Sequence, residues 1–247
     1  MASRPPDDRR QLLSRLGGVT ARLDENFCRE VAKYYERAPA LDLRGRLITA
    51  YDLLKRETLQ QYRAIVDAGV EVKPWRGGGQ PYRDSRHLRH CVSRTGKLYV
   101  YLSSAGHGPH GPAEPGFHPL REPSGVRVDG VEFCYNDLFR ATHDIFGHVM
   151  FGNGFGLKGE FLATFCQMHF YSREAHHPLF TEQIGQICWF YYGPHLLDRA
   201  GRLPERDAPG YLPADQRPYP EQKVFAFPQR FLDAFGDLFE LESGAND

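Results

Sequence analysis

Charge imbalance is the first thing missing from this chain: across 247 residues, 31 Lys and Arg are matched by 31 Asp and Glu. A surface that holds nucleic acid or an anionic membrane needs a basic excess, so neither partner is expected. Long apolar runs are missing too, and none approaches the roughly 18 residues that a membrane-crossing helix requires. The opening segment, MASRPPDDRRQLLSRLGG, mixes both signs of charge without an apolar stretch, so no secretory leader is expected. Cysteine pairs are absent. Cys28, Cys91, Cys134, Cys166 and Cys188 are scattered without a CxxC, which speaks against a thiolate zinc site and for reduced thiols in a cytoplasmic protein. There is no internal repeat, and the GGG at 77–79 lacks the Lys-Ser/Thr that would make it a phosphate loop.

What the chain has in plenty is aromatic: 17 Phe and 13 Tyr, against 2 Trp and 3 Met. Rings in that number build a core or wall a pocket. The hydrophobic pattern predicts one α+β domain, mainly α-helical, over residues 21–247, after a polar, flexible arm at 1–20. Helices are expected at 24–37, with Asp24 as N-cap, and at 46–67, where Ile48, Tyr51, Leu54, Leu59, Tyr62 and Ile65 form the buried stripe. Further helices are expected at 136–149, 159–172, 180–197 and 228–241. A strand is expected at 97–104 and a hairpin at 126–133, turning at Asp129-Gly130. The Gly/Pro-rich stretches 72–85 and 105–123 read as loops that carry function, and 198–220 as a surface connection.

The stretch that carries chemistry is THDIFGHVMFGNGFGLKGEF, beginning at Thr142. His143 and His148 are five residues apart, about 140° around a regular helix, so they converge only if the helix widens locally into a π-type turn. This is not the HExxH spacing of zinc proteases. Two imidazoles need an anionic third ligand, and two His plus one carboxylate on one face leave three positions of an octahedral ion open, as in non-haem Fe(II) oxygenases. Glu160 and Glu182 are the carboxylates at hand. Glu182 lies in an aromatic helix that would bury its charge unless it is paired or bound to metal. Glu160 opens its helix, where a carboxylate is also explained by the helix dipole. The other histidines (His87, His90, His107, His110, His118, His169, His176 and His177) read as loop or surface residues.

HDIFGHV resembles the HDLFGHVP/HELLGHVP signature of the pterin-dependent aromatic amino acid hydroxylases. YRDSRHLRH with KLYVYLSS, LFTEQIG and EQKVFAFPQRFLDAF are similar to further segments of that family in the same order, about two thirds of the chain in all. The resemblance implies that family's catalytic domain, with Fe(II) held by His143, His148 and a glutamate, matched here to Glu182 with Glu160 as competitor. It also implies O2 as co-substrate, an amino acid or related small molecule (aromatic above all) as the molecule hydroxylated, and tetrahydrobiopterin or a related pterin as a second cofactor. Asp144 matches the acidic residue after the first histidine. Met150 stands where the family has proline, the family's Pro-Asp before the first histidine is absent, and its pterin-contacting segments have no match, so iron is better supported than pterin.

Around such a site, Asp144 and Trp189 are the candidate catalytic side chains, and Trp189, Phe190, Tyr191 and Tyr192 would wall a dry pocket. Arg121 and Arg127 are the candidates for a substrate carboxylate. Two other readings remain: a pterin-independent or two-metal oxygenase using both Glu160 and Glu182, and a non-enzymatic helical binding module with structural histidines.

Overall fold

Helix boundaries follow the capping chemistry written in the chain. In the computed structural model, which describes residues 6–105 and 116–241, Asp24 accepts a hydrogen bond from the Phe27 amide at 3.0 Å and α2 (Glu25–Arg37) starts there. Its far end is closed by the Lys223 ammonium, which donates to the carbonyls of Tyr35, Glu36 and Ala38 at 2.9–3.1 Å. The long helix α3 (Arg46–Asp67) buries Tyr51, Leu54, Tyr62 and Ile65, while Ile48, expected in the same stripe, is 47% exposed. His107 and His110, with most of the 105–123 loop, lie outside the described residues.

The start of the chain departs from the expected flexible arm. Residues Pro6–Gly17 form α1, Leu16 is fully buried, and β1 (Thr20–Ala21) pairs antiparallel with β6 (Phe239–Glu240). The 72–85 stretch also carries more structure than a loop. Its first residues belong to β2 (Glu71–Pro74), which pairs in parallel with β3 (Lys97–Val100), and α4 (Ser85–Thr95) makes the crossover. Asp84 caps α4 by accepting from the His87 amide, and Gly96 ends it in the left-handed region at φ 66°. A third ladder, β4 (Pro123–Val128) with β5 (Val131–Cys134), turns at Asp129-Gly130, both at positive φ, as expected.

The rest is helical: α5 (Tyr135–His143), α6 (Leu157–Met168), α7 (His176–Phe180), α8 (Gln186–Tyr192) and α9 (Gln229–Gly236). The chain is therefore mainly α-helical with a few short strands, and no helix among the described residues is long and apolar enough to cross a membrane. Two apolar clusters hold it. The larger joins α2, α3, α6, α7, α8 and α9 through rings such as Phe161, Phe180, Phe227 and Phe235; the smaller lies under β2, β3, α4 and α5 around Leu88, Leu98, Phe133 and Leu138. The segment after α5 packs Ile145, Phe146 and Val149 on the smaller cluster.

Phe235 meets the rings of Phe27, Phe161, Phe180 and Phe239 at centroid distances of 4.9–6.4 Å and is 1% exposed. Phe235→Ala is expected to cost about 3–5 kcal/mol in urea unfolding. Ile48→Ala, despite its place in the helical pattern, is expected to stay within about 0.5 kcal/mol of the parent chain.

Candidate metal centre

His143 closes α5, and the next turn, Asp144–Val149, widens into a π-helix with the Met150 amide bonded to the Ile145 carbonyl five residues back. Widening brings residues five apart onto the same face. The His143 and His148 Nε2 atoms lie 3.1 Å apart, with ring planes at 87°. Sequence helps in two places. A Cβ on Gly147 would stand 2.9 Å from that of Ala163, so only glycine lets α6 approach this closely. Asn153, in the loop that follows, donates from Nδ2 to the Gly147 carbonyl at 2.9 Å and offers its own carbonyl to His148 Nδ1 at 3.1 Å.

The third group comes from α6. Glu160 Oε2 is 3.2 Å from His143 Nε2 and 3.5 Å from His148 Nε2, and these are the three side chains that the described residues bring together as a potential metal set. Proton bookkeeping says what they face. The Asn153 carbonyl can only accept, so His148 Nδ1 carries a hydrogen, and in the neutral ring its Nε2 presents a lone pair. His143 Nδ1 lies 2.8 Å from Gln167 Oε1 and 2.7 Å from Gln183 Nε2, and its Nε2 faces the same point as that of His148. Two imidazole Nε2 atoms and a carboxylate oxygen converge on one point, where either a proton or a metal cation would join them. Three donors each about 2.1 Å from an ion lie about 3.0 Å apart at right angles and about 3.4 Å apart in a tetrahedron, so edges of 3.1, 3.2 and 3.5 Å fit a resident metal.

Charge in the site is tuned by burial against neighbours. Burial opposes ionisation of Glu160, but the charge of His148 and the hydrogen bonds of both histidines hold its carboxyl down at about 2. Burial likewise opposes the cation on His148, yet Glu160 and Asp144 outweigh it and raise its pKa. Asp144, adjacent to His143, is pushed up to about 6 by burial. Gln183 Nε2 sits 2.7 Å from both His143 Nδ1 and Gln167 Oε1, so a pair of amides orients the first imidazole.

Glu182, to which the family resemblance assigned the third ligand position, is not part of this cluster. It lies on a second π-turn, Thr181–Gly185, where Oε1 accepts from Tyr51 Oη at 2.6 Å and Oε2 from Gln186 Nε2 at 3.1 Å. His118 Nε2 is 3.0 Å from Oε1. The buried charge has its partners there, so burial did not require a metal. His118 itself, read from sequence as a loop or surface residue, is 3% exposed.

Two adjoining cavities of about 380 Å³ each open onto His143 and Glu160. Asp144 lines both. Trp189 does not: its indole donates to Glu36 and stacks on His195 at 3.9 Å, which turns it away from the site. Phe190 and Tyr191 line the first cavity, whereas Tyr192 packs on the main core under Arg29. The two arginines expected to meet a substrate carboxylate also lie off the walls. Arg127 is on the exposed hairpin, 3.6 Å from Glu132, and Arg121 donates to Gln222. Arg140, not singled out in the sequence, is the one Lys or Arg that lines both cavities; its place one turn before His143 on α5 is the signal that would have found it. Comparison with protein-family models, curated proteins and solved structures returned no match to this chain.

The pKa directions predict a pH signature in metal-free protein. Glu160, depressed on folding, contributes stability above the unfolded carboxyl value and loses it as pH falls toward about 2; His148, raised on folding, contributes below about 6.5 and loses it as pH rises through its folded value. The Tm gap between the parent chain and Glu160→Gln, both stripped of metal, should therefore be widest between these limits and narrow on either side. A gap that is flat with pH would contradict the coupling.

Proposed function

We propose that the protein is a mononuclear non-haem iron monooxygenase that hydroxylates an amino acid, aromatic above all, or a related small molecule with O2. The observation that carries this reading is the convergence of His143 Nε2, His148 Nε2 and Glu160 Oε2 at the wall of a cavity large enough for a single-ring molecule. Two imidazoles and one carboxylate from one side are the donor set of ferrous oxygenases and leave the opposite positions for O2 and a co-substrate. Ferrous iron held by these three residues would supply O2 activation.

What the chain's own groups contribute follows from their contacts. Gln167 and Gln183 orient the ring of His143, and the Asn153 carbonyl does the same for His148. Phe155, Phe190 and Tyr191 keep bulk water from the reacting face. Asp144, with a pKa near 6 and no side-chain hydrogen bond among the described residues, lies beside the ligands, where it would hold or release a proton. A tetrahydropterin as electron donor rests on the HDIFGHV resemblance alone.

Anaerobically reconstituted protein is expected to hold about one iron per chain by elemental analysis. His143→Ala, His148→Ala and Glu160→Ala should each lower occupancy at least about tenfold, while Glu182→Ala, engaged elsewhere, should retain it. Normal folding without metal, or a loss at Glu182 equal to that at Glu160, would overturn the reading. The second outcome would favour a two-metal oxygenase.

A further inference from the structure

The chain is neutral as a whole, yet one helix is not. From Arg76 to Lys97, six Lys and Arg stand against a single acid, Asp84, and that carboxylate caps α4 by accepting from the His87 amide. Helix α4 has no Asp or Glu of its own. Arg86, Arg89, His90 and Arg94 are all exposed and lie within about 140° of its circumference over about 12 Å, whereas Leu88 and Val92 face the core. Other surface cations are paired, Arg29 with Glu25, Lys55 with Glu122 and Lys73 with Asp129. The three arginines of α4 have no ion pair and no side-chain hydrogen bond among the described residues. Like charges three and four apart oppose helix formation, so a partner of opposite sign explains this face better than stability does.

Behind the face lies the candidate metal centre. Leu88 and Val92 pack in one cluster with Ile145, Phe146 and Val149 of the π-turn that carries His148. Arg89 reaches the end of that turn from outside: a Cβ on Gly152 would stand 2.5 Å from its Nη1, so the guanidinium rests on the backbone there. The Gly152 amide in turn donates to the His148 carbonyl at 2.8 Å. One contact and one hydrogen bond thus join the surface cation to a histidine of the centre. Hydroxylation with O2 consumes electrons at that point. One oxygen atom enters a C–H bond as C–OH and the other leaves as water, which takes two electrons and two protons.

We propose that the exposed face of α4 is the docking site of an acidic one-electron carrier protein. Two successive encounters deliver the two electrons, each carrier being oxidised by one electron, and water supplies the protons. The charge pattern favours such a partner over nucleic acid or a membrane. The chain has no basic excess overall, no aromatic side chain is interleaved on the face, and its short length matches one acidic patch on a small protein. Carrier encounters bury little surface and are steered by charge, which a few uncompensated arginines provide. The carrier's role rests on the proposed oxygenase; the docking face does not.

The test is calorimetric titration of iron-loaded protein, under nitrogen, with an acidic plant-type [2Fe–2S] ferredoxin. Association is expected at about 20 mM NaCl and should weaken about tenfold or more at about 200 mM. Arg86→Glu/Arg89→Glu/Arg94→Glu should weaken it at least about tenfold at low salt, whereas Lys33→Glu/Arg37→Glu/Arg56→Glu, equal in charge but on α2 and α3, should keep it within about twofold. Mixed anaerobically with Fe(III)-loaded protein, reduced ferredoxin should pass one electron per iron, at least about tenfold more slowly in the α4 variant. Should that variant fail to fold, Arg86→Gln/Arg94→Gln carries the same test. No association at low salt, association indifferent to salt, equal losses in the two triple variants, or tighter binding of duplex DNA or phosphatidylserine vesicles than of ferredoxin would overturn the proposal. Iron content of the same samples separates the two claims. Iron held without docking sinks the docking face alone; docking without iron sinks the oxygenase reading alone.

Discussion

One widened helical turn carries the organisation of this site. On a regular helix, His143 and His148 would diverge by about 140°. The i→i+5 bonding of Asp144–Val149 brings their Nε2 atoms to 3.1 Å. Such a turn persists only where its surroundings support it. Gly147 lets α6 press against its outer face, and Asn153 takes up both the Gly147 carbonyl and the His148 ring. That same close approach of α6 delivers Glu160, so the third donor depends on the packing that holds the other two.

Two carboxylates near one cavity have been given different work by their surroundings. Glu160 faces two imidazole nitrogens, and those partners hold it ionised despite burial. Glu182 is met by a tyrosine hydroxyl, a glutamine amide and the Nε2 edge of His118, which satisfy it in place. Each is compensated, as buried charge must be, but only the first lies between two imidazole nitrogens that reach the same point. A pair of glutamine amides behind His143 orients its ring, a neutral support in place of a carboxylate.

Much of this was legible in the chain. The α+β, mainly helical architecture, the helix at 46–67, the Asp24 cap and the Asp129-Gly130 turn follow from periodicity and turn chemistry, which are local. The need for a π-type turn between the two histidines was readable from a spacing that no regular helix satisfies. Ligand choice was not, because it hangs on which helix packs against Gly147, a tertiary fact. Resemblance drew attention to Glu182, whereas the position of α6 brings Glu160 to the two histidines. Helix α4 escaped because its buried stripe is just Leu88 and Val92, too short to stand out against Arg and His. Trp189 was expected at the site from its place in an aromatic run. Neighbouring residues on a helix face different ways, and the run divides, with Phe190 and Tyr191 toward the cavity and Trp189 toward Glu36.

The central claim is that three atoms share one ion. Its most direct test is a crystal structure of the anaerobic, Fe(II)-loaded protein with anomalous data collected on either side of the iron edge. One iron peak is expected about 2.0–2.2 Å from His143 Nε2, His148 Nε2 and a Glu160 carboxylate oxygen, with Glu182 still on Tyr51. An iron bound through Glu182, or imidazoles that swing apart with no peak between them, would contradict it.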